Sequence, residues 1–486
     1  MILLRSTALA LSFNLLVTVS VHASEKPNIV LILADDMGFD AVSAHNDAMG
    51  PLKTPAIDKL IEQGMNFIDA HSGSAVCTPT RYGLLTGRYC WRTELRKEVL
   101  WDYGRPLIEP ERLTVAELLK KDGYTTGMVG KWHLGLDWYD SEGKLANSEI
   151  RIEDAVWKSK ESAKRIRACA QRIDFSKPIT GGPVDHGFDY FFGVDLPNMP
   201  PYAWIAGDRL TALPTLPKPD SMFGTEGPMV PGWQLEEILP TLAQKSTEWI
   251  RKQAKSEKPF FLYLPLTSPH TPISPSRDFK GKSGTTAFGD FLIETDWVVG
   301  QIMKALNDAG VSENTLLIFT TDNGTAAACN FRALEKYGID LRRTLKGIKS
   351  QIHEGGHRVP FVVRWPGKIK AGSTCKEVIG LNDFMATMAD LIEMELPKDA
   401  AEDSTSILPL LLGETETLPD RPLVVHHDYK GNFAIRSGKW KLVGNQLFDL
   451  ETDLKETTNV AAEHMDLVEK MAAILKRYQE EGRSRP

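Results

Sequence analysis

This chain of 486 residues has no excess of positive charge, only five cysteines and few long apolar runs. Its formal net charge of −7 and pI near 5.9 exclude the clustered basic surface of a nucleic-acid-binding protein. After the first residues, no apolar stretch is long enough to predict an integral membrane span. No internal repeat or long low-complexity tract is present, which excludes a repeat array. The remaining composition, 42% hydrophobic and 25% charged, is that of an ordinary globular protein.

The five cysteines are Cys77, Cys90, Cys169, Cys329 and Cys375. An odd number in an exported protein leaves at least one thiol unpaired or specially used. Three interpretations of Cys77 stay open on this basis: a small buried apolar residue, a disulfide partner of Cys90, or a thiolate nucleophile. The pairing of the other cysteines is equally open, including a fully reduced set.

The N-terminal segment MILLRSTALALSFNLLVTVSVHAS has the pattern of a signal peptide. Arg5 supplies a short positive region, an apolar stretch covers residues 8–19, and small residues precede a cleavage point after Ala23. The alternative, a membrane anchor, needs a longer apolar run. We therefore expect residues 1–23 to be removed and the mature protein to be exported, either to the periplasm or as a fully secreted protein.

Short apolar runs that end in polar clusters alternate with helical patterns along much of the chain. The apolar runs are NIVLILADDMG, YTTGMVGKWHLG, FFLYLPLTSPH and TLLIFTTDNG, each typical of a strand buried on both faces. The helical patterns cover residues 54–64, 113–122, 236–255 and 288–308. This alternation predicts an α/β fold with a large, mostly parallel sheet and helices on both faces.

The polar residues that follow these four runs are predicted to meet at one edge of the sheet. In open α/β sheets, ligands bind outside the carboxyl ends of the strands. These residues alone therefore predict an active or binding site. The edge gathers three carboxylates, one amide, two histidines and one lysine, namely Asp35, Asp36, Lys131, His133, His270, Asp322 and Asn323.

A cation is expected among the three carboxylates, because neighbouring anions otherwise repel one another. Asp35, Asp36 and Asp322, with the amide oxygen of Asn323, form a set of hard oxygen ligands. Such a set suits Ca²⁺ or Mg²⁺ better than zinc. The alternative is that the DD and DN pairs are only turn and cap residues after strands. Two such pairs at one edge, with lysine and histidine nearby, favour the metal site.

Two regions depart from the alternation of strands and helices. Residues 137–232 are rich in proline, charge and aromatic residues, and we interpret them as a substrate-side insertion in a catalytic domain covering residues 24–415. Residues 416–486 form a smaller C-terminal α+β unit. There FAIRSGKWKLVGNQLFDLETD predicts an antiparallel sheet with turns at Ser437-Gly438 and Gly444-Asn445, followed by a helix over about 459–481.

Six ordered blocks resemble the type I, formylglycine-dependent sulfatases of the alkaline phosphatase superfamily. CTPTR followed by LLTGR matches the family signature C-x-P-S/T-R. The blocks PNIVLILADDMG, GKWHLG, SPHTP, TDNG and KSQIHEGGHRVP stand in the expected order. The five-residue signature alone is weak, whereas six ordered blocks through nearly the whole mature chain are specific. The resemblance implies an alkaline-phosphatase-like α/β/α sandwich and a sulfuric ester hydrolase.

The resemblance changes the interpretation of Cys77. It implies that a formylglycine-generating, or sulfatase-maturing, enzyme oxidises Cys77 to formylglycine, whose hydrate is a geminal diol. One hydroxyl attacks sulfur and displaces the substrate alcohol; the other then loses its proton, so that sulfate leaves and the aldehyde re-forms. Pro79 fits the first turn of a helix, which places residue 77 at a helix N-terminus, a favourable position for an anion.

One Ca²⁺ per chain is implied by the same resemblance, and it would polarise the sulfate and lower the pKa of the diol. Arg81, one helical turn past Cys77, should neutralise the metal-side carboxylates and hold the diol. The implied calcium ligands are an oxygen of residue 77 and the side chains of Asp35, Asp36, Asp322 and Asn323.

Four further residues match sulfate-binding and proton-transfer positions of the family. Lys131 and Lys349 match the lysines that bind sulfate, and Lys346 is a near decoy for the second. His270 matches the general acid that protonates the leaving oxygen. His133 matches the base that drives regeneration of the aldehyde.

The expected substrate is a sulfated carbohydrate. The insertion segment GPVDHGFDYFFGVDLPNMPPYAW resembles carbohydrate sulfatases of bacterial type, especially galactose- or N-acetylgalactosamine-6-sulfatase-like members. Aromatic and amide groups can stack on a sugar and hydrogen-bond it, although the same groups could simply pack the insertion. The candidate contacts are Asp185, His186, Asn198, Tyr202 and, in the C-terminal unit, His427.

Two other functions stay open. A phosphodiesterase or phosphonate hydrolase of the same superfamily would use a similar metal and similar lysines, because sulfate and phosphate are both tetrahedral oxyanions. A non-catalytic binder of sulfated glycans would follow if Cys77 stays an unmodified thiol.

Overall fold

The computed structural model describes residues 26–485, so the predicted signal peptide at residues 1–23 lies outside the described residues. The strands are β1 Asn28–Ala34, β2 Met65–Phe67, β3 Ala70–His71, β4 Thr125–Lys131, β5 Tyr190–Val194, β6 Ile205–Ala206, β7 Arg209–Leu210, β8 Leu216–Pro217, β9 Pro228–Met229, β10 Phe260–Pro265, β11 Thr315–Thr321, β12 Phe361–Arg364, β13 Ser373–Cys375, β14 Ile379–Gly380, β15 Val424–His427, β16 Phe433–Ser437, β17 Trp440–Val443 and β18 Gln446–Asp449. The helices are α1 Pro55–Gln63, α2 Cys77–Thr86, α3 Val115–Lys121, α4 Lys160–Arg172, α5 Ile238–Gln253, α6 Ala287–Asp308, α7 Phe331–Glu335, α8 Glu354–His357, α9 Asp383–Leu391, α10 Leu408–Leu411 and α11 Met465–Glu480.

Ten strands within residues 26–485 form one large mixed sheet in the order β13-β2-β12-β11-β1-β10-β4-β5-β6-β7. Its centre, from β11 to β5, is parallel throughout. The antiparallel pairs lie toward the two edges, at β12 and at β6. The predicted α/β class is therefore confirmed, with a parallel centre and antiparallel flanks.

Helices cover both faces of this sheet. Along β1, Ile29 and Leu31 pack with residues of α2, α3 and α9, whereas Val30 and Ile32 pack with residues of α1, α5 and α6. Both faces of β1 are thus buried, which explains why its sequence is continuously apolar. The four predicted helical patterns are confirmed as α1, α3, α5 and α6, with boundaries within two residues of those expected.

The predicted insertion at 137–232 contains more regular structure than its composition indicates. It includes α4 and the strands β5 to β9, and β5 joins the main sheet parallel to β4. These two strands approach closely at Gly193, where an added Cβ would lie 1.8 Å from the carbonyl oxygen of Gly130. The sequence gives only a weak signal for β5, because this strand is short and proline-rich segments surround it.

The C-terminal part of the chain forms a separate antiparallel sheet, β15-β16-β17-β18, against which α11 packs. Ser437 pairs with Trp440, so the first turn is Gly438-Lys439, one residue later than predicted. The second turn is Gly444-Asn445, as predicted. Gly438 and Gly444 have φ values of 53° and 58°, which a tight hairpin turn requires at this position.

A buried ionic network joins this small sheet to the rest of the molecule. Arg436 on β16 donates to Asp69 at 2.8 Å and to Glu354 at 3.0 Å. Lys441 on β17 lies 3.1 Å from Glu354 and 2.9 Å from Glu456. Apart from the partly accessible Asp69, these side chains are shielded from solvent.

Three buried histidines lie beside this network, on β3, α8 and β15. The rings of His357 and His426 stack with centroids 4.0 Å apart, and the Nδ1 atoms of His71 and His357 are 3.0 Å apart. Burial lowers the pKa of each of the three imidazoles, so all three are neutral near neutral pH.

None of the helices in residues 26–485 combines the length and apolar character needed to cross a membrane.

Candidate active site

The carboxyl ends of β1, β4, β10 and β11 bring the predicted polar residues together at one edge of the sheet. Asp35 and Asp36 directly follow β1, Lys131 ends β4, and Asp322 and Asn323 directly follow β11. All five are at most 3% exposed. The common edge that the sequence predicts is therefore the edge at which these side chains meet.

Cys77 is the first residue of α2, and its thiol lies inside this cluster. The Sγ atom is 3.6 Å from Asp35 Oδ1 and 3.3 Å from Lys349 Nζ. Burial raises the pKa of the Cys77 thiol, and the carboxylate of Asp322 raises it further. The thiol is therefore uncharged, which argues against a thiolate nucleophile at this position.

The five cysteines are all buried and free in the described residues, so the structure contains no Cys77–Cys90 disulfide.

Arg81 holds the carboxylates next to Cys77 in place. Its guanidinium donates to Asp322 Oδ2 at 2.7 and 3.2 Å and to the Lys131 carbonyl oxygen at 3.1 Å. Asp35 receives a hydrogen bond from Lys131 Nζ at 2.6 Å. Burial alone would raise the pKa of Asp35, but Lys131 and Arg81 hold it well below its ordinary value. Burial and the nearby Asp35 carboxylate raise the pKa of Asp322 to about 6.

The oxygen atoms in this cluster fit a hard cation. Asp36 has a φ of 64°, and its backbone N–H donates to Asp322 Oδ1 at 3.1 Å. Asn323 Nδ2 donates to Asp36 Oδ1 at 2.8 Å, while Asn323 Oδ1 is buried and accepts no hydrogen bond within the described part of the chain. A buried acceptor without a donor is costly, and a cation would satisfy it. Three carboxylates and this amide oxygen suit Ca²⁺ or Mg²⁺.

Lys349 connects the carboxylates to residue 77. Its Nζ lies 2.5 Å from Asp36 Oδ1 as well as 3.3 Å from Cys77 Sγ. Burial opposes the charge of Lys349, yet the Asp36 carboxylate keeps its pKa above the ordinary value. Lys346 instead donates to the carbonyl oxygen of Glu456 at 3.0 Å. Lys349 therefore lies beside residue 77, whereas Lys346 contacts a different part of the chain.

His133 has one nitrogen free to accept a proton. Its Nε2 lies 3.0 Å from the Leu100 carbonyl oxygen, so Nε2 carries the hydrogen and Nδ1 carries the lone pair. Nδ1 is buried and makes no hydrogen bond in residues 26–485. Burial lowers the pKa of His133, and the charges of Lys131 and Arg81 lower it further. The ring is thus a neutral base in this state.

His270 lies next to Asp36. Its Nδ1 contacts the Thr271 carbonyl oxygen, and its Nε2 is 3.7 Å from Asp36 Oδ2. Burial lowers the pKa of His270 to about 4, although Asp35 and Asp36 oppose this shift. Its Nε2 is the nitrogen that faces the cluster.

Two predicted substrate contacts of the insertion, Asp185 and Tyr202, have other partners for their side chains in this structure, whereas Asn198 Oδ1 is buried without a partner among residues 26–485. Asp185 accepts from the backbone N–H of Gly181 at 2.7 Å. The hydroxyl of Tyr202 donates to the carbonyl oxygens of Asn198 and Thr225, at 3.1 and 2.6 Å. These contacts link parts of the insertion to one another.

Two predicted contacts are buried histidines with unused ring nitrogens. His186 stacks on Trp132 with centroids 6.1 Å apart, and neither of its nitrogens has a partner among residues 26–485. His427 Nδ1 lies 3.1 Å from the Gly73 carbonyl oxygen, and the His427 carbonyl oxygen accepts from the backbone N–H of Ala75. His427 is thereby paired with the segment that leads into Cys77.

One residue near the base was missed by the sequence interpretation. Asp195 directly follows β5 and accepts from the backbone N–H of His133 at 3.0 Å. The signal that could have revealed it is the run YFFGV followed by aspartate, which repeats the pattern of the four recognised strand ends.

Family comparisons agree with this geometry. A family model described as Sulfatase matches residues 27–394, and one described as N-sulphoglucosamine sulphohydrolase, C-terminal, matches residues 348–481. The N-acetylgalactosamine-6-O-sulfatase of Bacteroides thetaiotaomicron is 32% identical over 485 aligned residues, covering 93% of each chain. Human arylsulfatase A is 32% identical over 462 residues, covering 90% of this chain and 77% of that protein.

A solved structure is similar over nearly the same extent. It comes from work on glycosaminoglycan metabolism by Bacteroides thetaiotaomicron, and it superposes with a TM-score of 0.78 at 30% identity. The alignment covers 94% of this chain and 100% of the other. With the matched family model and the relatives at 32% identity, these findings show that the chain belongs to the sulfatase family and is a sulfuric ester hydrolase.

Proposed function

We propose that the protein hydrolyses sulfate monoesters of carbohydrates, with a formylglycine made from Cys77 and one bound Ca²⁺. The observation that carries the proposal is the position of Cys77 at the start of α2, with Sγ 3.3 Å from Lys349 Nζ and 3.6 Å from Asp35 Oδ1. In the matured protein, an oxygen of the formylglycine hydrate would take the place of this sulfur and supply the nucleophile. The helix N-terminus and Lys349 both favour an anionic group there.

The calcium site would be formed by Asp35, Asp36, Asp322 and Asn323. Bound there, Ca²⁺ would polarise the sulfate oxygens and lower the pKa of the nucleophilic hydroxyl. The unsatisfied Asn323 Oδ1 supports this assignment, as does the fixed orientation of Asp322, which Arg81 holds with two hydrogen bonds. Arg81 thus orients a ligand and compensates its negative charge.

Lys131 and Lys349 would bind the sulfate group from two directions. Lys131 extends from β4 and pairs with Asp35, whereas Lys349 extends from a loop and pairs with Asp36. Each ammonium is thus already oriented by a carboxylate before substrate binds. Such preorganisation favours a tetrahedral oxyanion at residue 77.

Proton transfer would involve His270 and His133. Nε2 of His270 faces the cluster, where it can protonate the oxygen of the departing alcohol. A bound sulfate ester adds negative charge beside this ring and so favours its protonated form. His133 offers Nδ1 as the base, because its Nε2 hydrogen is engaged by Leu100.

The first substrates to test are 6-sulfated galactose and N-acetylgalactosamine. The relative that is 32% identical over 93% of both chains acts on N-acetylgalactosamine-6-O-sulfate groups, according to its name. Asp185, His186, Asn198, Tyr202 and His427 remain the proposed sugar contacts; the two histidines keep buried ring nitrogens that have no partner among residues 26–485.

A phosphodiesterase or phosphonate hydrolase activity is the second candidate. A phosphodiester or a phosphonate monoester carries one negative charge, as a sulfate monoester does, so Arg81, Lys131 and Lys349 with a bound Ca²⁺ would accept either group. The Sulfatase family model over residues 27–394 and the N-acetylgalactosamine-6-O-sulfatase relative favour the sulfate ester.

Mass spectrometry of the peptide that contains residue 77, taken from protein made in the native host, tests the proposal. We expect an aldehyde or its hydrate at residue 77, and turnover of a sulfate monoester faster than that of its phosphate analogue. Faster phosphate turnover would select the second candidate. An unmodified thiol combined with retained affinity for sulfated glycans would select a non-catalytic binder.

We infer in addition that the protein is exported to the periplasm or secreted, that a sulfatase-maturing enzyme acts on it, and that residues 24–415 and 416–486 are its two domains. The pattern of residues 1–23 supports export, and the CTPTR segment supports maturation. N-terminal sequencing of the mature protein tests the cleavage after Ala23. A retained Met1 would contradict it.

A further inference from the structure

Asp195 contacts the backbone of His133, the proposed base. It follows β5, the strand beside β4, and its Oδ1 accepts from the backbone N–H of His133 at 3.0 Å. His133 has a φ of 57°, a left-handed conformation that is unfavourable for a residue with a side chain. The hydrogen bond that His133 N–H donates to Asp195 thus stabilises a strained backbone at the residue proposed to accept the proton.

The second oxygen of Asp195 has no protein partner. Among residues 26–485, no hydrogen bond to Oδ2 is present, and no lysine, arginine or histidine nitrogen lies within ion-pair distance of the carboxylate. Asp195 is half-buried, and Oδ2 is not one of the fully enclosed unpartnered atoms of the site. One oxygen therefore holds His133, while the other has no partner among the described residues and is not fully enclosed.

An unpaired carboxylate at this position is unfavourable for an enzyme that binds an anion. Burial raises the pKa of Asp195 to about 6, and Asp102 contributes to the rise while Lys131 opposes it. The carboxylate also repels an incoming sulfate group through Coulomb interaction. A role in holding His133 alone would not need the second oxygen to remain accessible. A neutral donor from the substrate, such as a hydroxyl group, would satisfy that oxygen without adding charge.

We propose that Asp195 positions His133 through Oδ1 and binds a hydroxyl group of the substrate sugar through Oδ2. The inference rests on the proposed function, because it requires a sulfated carbohydrate in the site. It makes Asp195 a specificity-determining residue: a sugar sulfate can donate a hydroxyl to it, whereas a simple aryl sulfate has no hydroxyl to donate. Recognition of the sugar and placement of the base would then depend on one side chain.

The test compares two substrates in three variants of the matured, full-length protein. The variants are Asp195→Ala, Asp195→Asn and, as a matched control, Asp189→Ala. Asp189 precedes the same strand at its opposite end, where it pairs with Lys120 at 2.6 Å. The substrates are 4-nitrophenyl sulfate and whichever of galactose-6-sulfate and N-acetylgalactosamine-6-sulfate the wild type hydrolyses faster.

We expect Asp195→Ala to lower kcat/KM for the sugar sulfate about tenfold more than kcat/KM for the aryl sulfate, since a charged hydrogen bond is lost only with the sugar. The additional loss should be found in KM. Asp195→Asn should give a smaller difference in the same direction, because the amide still accepts from His133 but carries no charge. Asp189→Ala should change both substrates by the same factor. Thermal unfolding identifies any variant that fails to fold. If Asp195→Ala does not fold, the comparison of the two substrates is made with Asp195→Asn.

Equal losses on both substrates in the folded Asp195 variants would overturn the sugar contact and leave a purely structural role. A wild type that hydrolyses the aryl sulfate but neither sugar sulfate would overturn this inference together with the proposed substrate class. A wild type without sulfatase activity and with an intact Cys77 thiol would contradict the proposed function itself. The activity of the wild type on the sugar sulfate and on the aryl sulfate distinguishes these three outcomes.

Discussion

Lys349 is a side chain that reaches both the Asp36 carboxylate and residue 77. We expect Lys349→Ala to lower kcat/KM for a sulfate ester by roughly 100-fold, because a preorganised cation is lost from the developing negative charge. Lys346→Ala is the matched control, since that lysine instead binds a carbonyl oxygen of Glu456. Steady-state kinetics on both variants measures the effect. A Lys349 variant with a third or more of wild-type kcat/KM would contradict the role.

A substitution of Asn323 tests the proposed metal site by thermal stability rather than by activity. Addition of Ca²⁺ to metal-stripped protein should raise the melting temperature, because only the folded chain gathers the carboxylates; at 100 times Kd the gain is about 2.7 kcal/mol. Asn323→Ala should require a higher Ca²⁺ concentration for the same rise. Asn307→Ala, on the surface of α6, should respond as the wild type does. An equal response in the Asn323 variant would contradict its role as a ligand.

At this scale the sequence predicts which residues gather but not how their protons are arranged. Asp35, Lys131 and Asp322 could be placed because each lies at the end of an apolar run. The sequence does not predict that Nδ1 is the free nitrogen of His133. That depends on a contact between Nε2 and the carbonyl oxygen of Leu100, which is 33 positions away in the chain. Asp195 was missed because its strand, β5, lies in a region rich in proline.

Among the elements, β4 and β5 can pair because both carry glycine at the point of closest approach. Gly193→Ala should destabilise the protein by about 1–3 kcal/mol, since the new Cβ would overlap the Gly130 carbonyl oxygen. Gly300→Ala in α6 is the control, because its Cβ would make an ordinary contact of 3.4 Å with Ala56. Denaturant unfolding measures both changes. If the Gly193 variant is as stable as the wild type, the close strand pairing is wrong.

The meeting of β3, α8 and β15 at three neutral histidines makes stability depend on pH. Their native pKa values lie below the ordinary value of 6.5, so below pH 6.5 the unfolded chain binds protons that the native state excludes. Stability is therefore lost as pH falls, by up to about 1.4 kcal/mol per pH unit for each histidine. His426→Asn should reduce the loss between pH 7 and pH 5 by roughly 1–2 kcal/mol. Denaturant unfolding at both values is the measurement, and an unchanged pH dependence would argue against burial of neutral His426.

Element boundaries followed from local pattern wherever the pattern was strong. Helices α1, α3, α5 and α6 were predicted within two residues because periodic apolar positions and polar flanks mark them. The turn before β17 was misplaced by one residue, since either Ser437-Gly438 or Gly438-Lys439 fits a hairpin and only the cross-strand pair Ser437–Trp440 decides.

For the whole molecule, Arg436 is the cation that ties the C-terminal sheet to the main body. Arg436→Met should cost about 3–5 kcal/mol, because Asp69 and Glu354 would remain as buried carboxylates with fewer partners. Lys439→Met, on the same hairpin but 41% exposed, should change the free energy of unfolding by less than about 1 kcal/mol. Equal effects in denaturant unfolding would show that the buried network does not stabilise the assembly of the two sheets.

The attachment of the small sheet could not be predicted from the sequence. The C-terminal hairpins were recognisable, but their docking depends on pairs such as Arg436 with Asp69, which are 367 positions apart. The same holds for the contact between His427 and the segment before Cys77. Such pairings of charged and polar groups leave no periodic pattern in the chain.

Cys77 is only 2% exposed once α2 has packed into place. An enzyme cannot reach a side chain in that position, so the proposed oxidation of Cys77 would have to come before folding is complete. The fraction of active molecules would then depend on the ratio of two rates, that of Cys77 oxidation and that of folding. Under the proposed formylglycine mechanism, a cell without the oxidising enzyme would accumulate folded protein that stays inactive, because the folded chain encloses the Cys77 thiol.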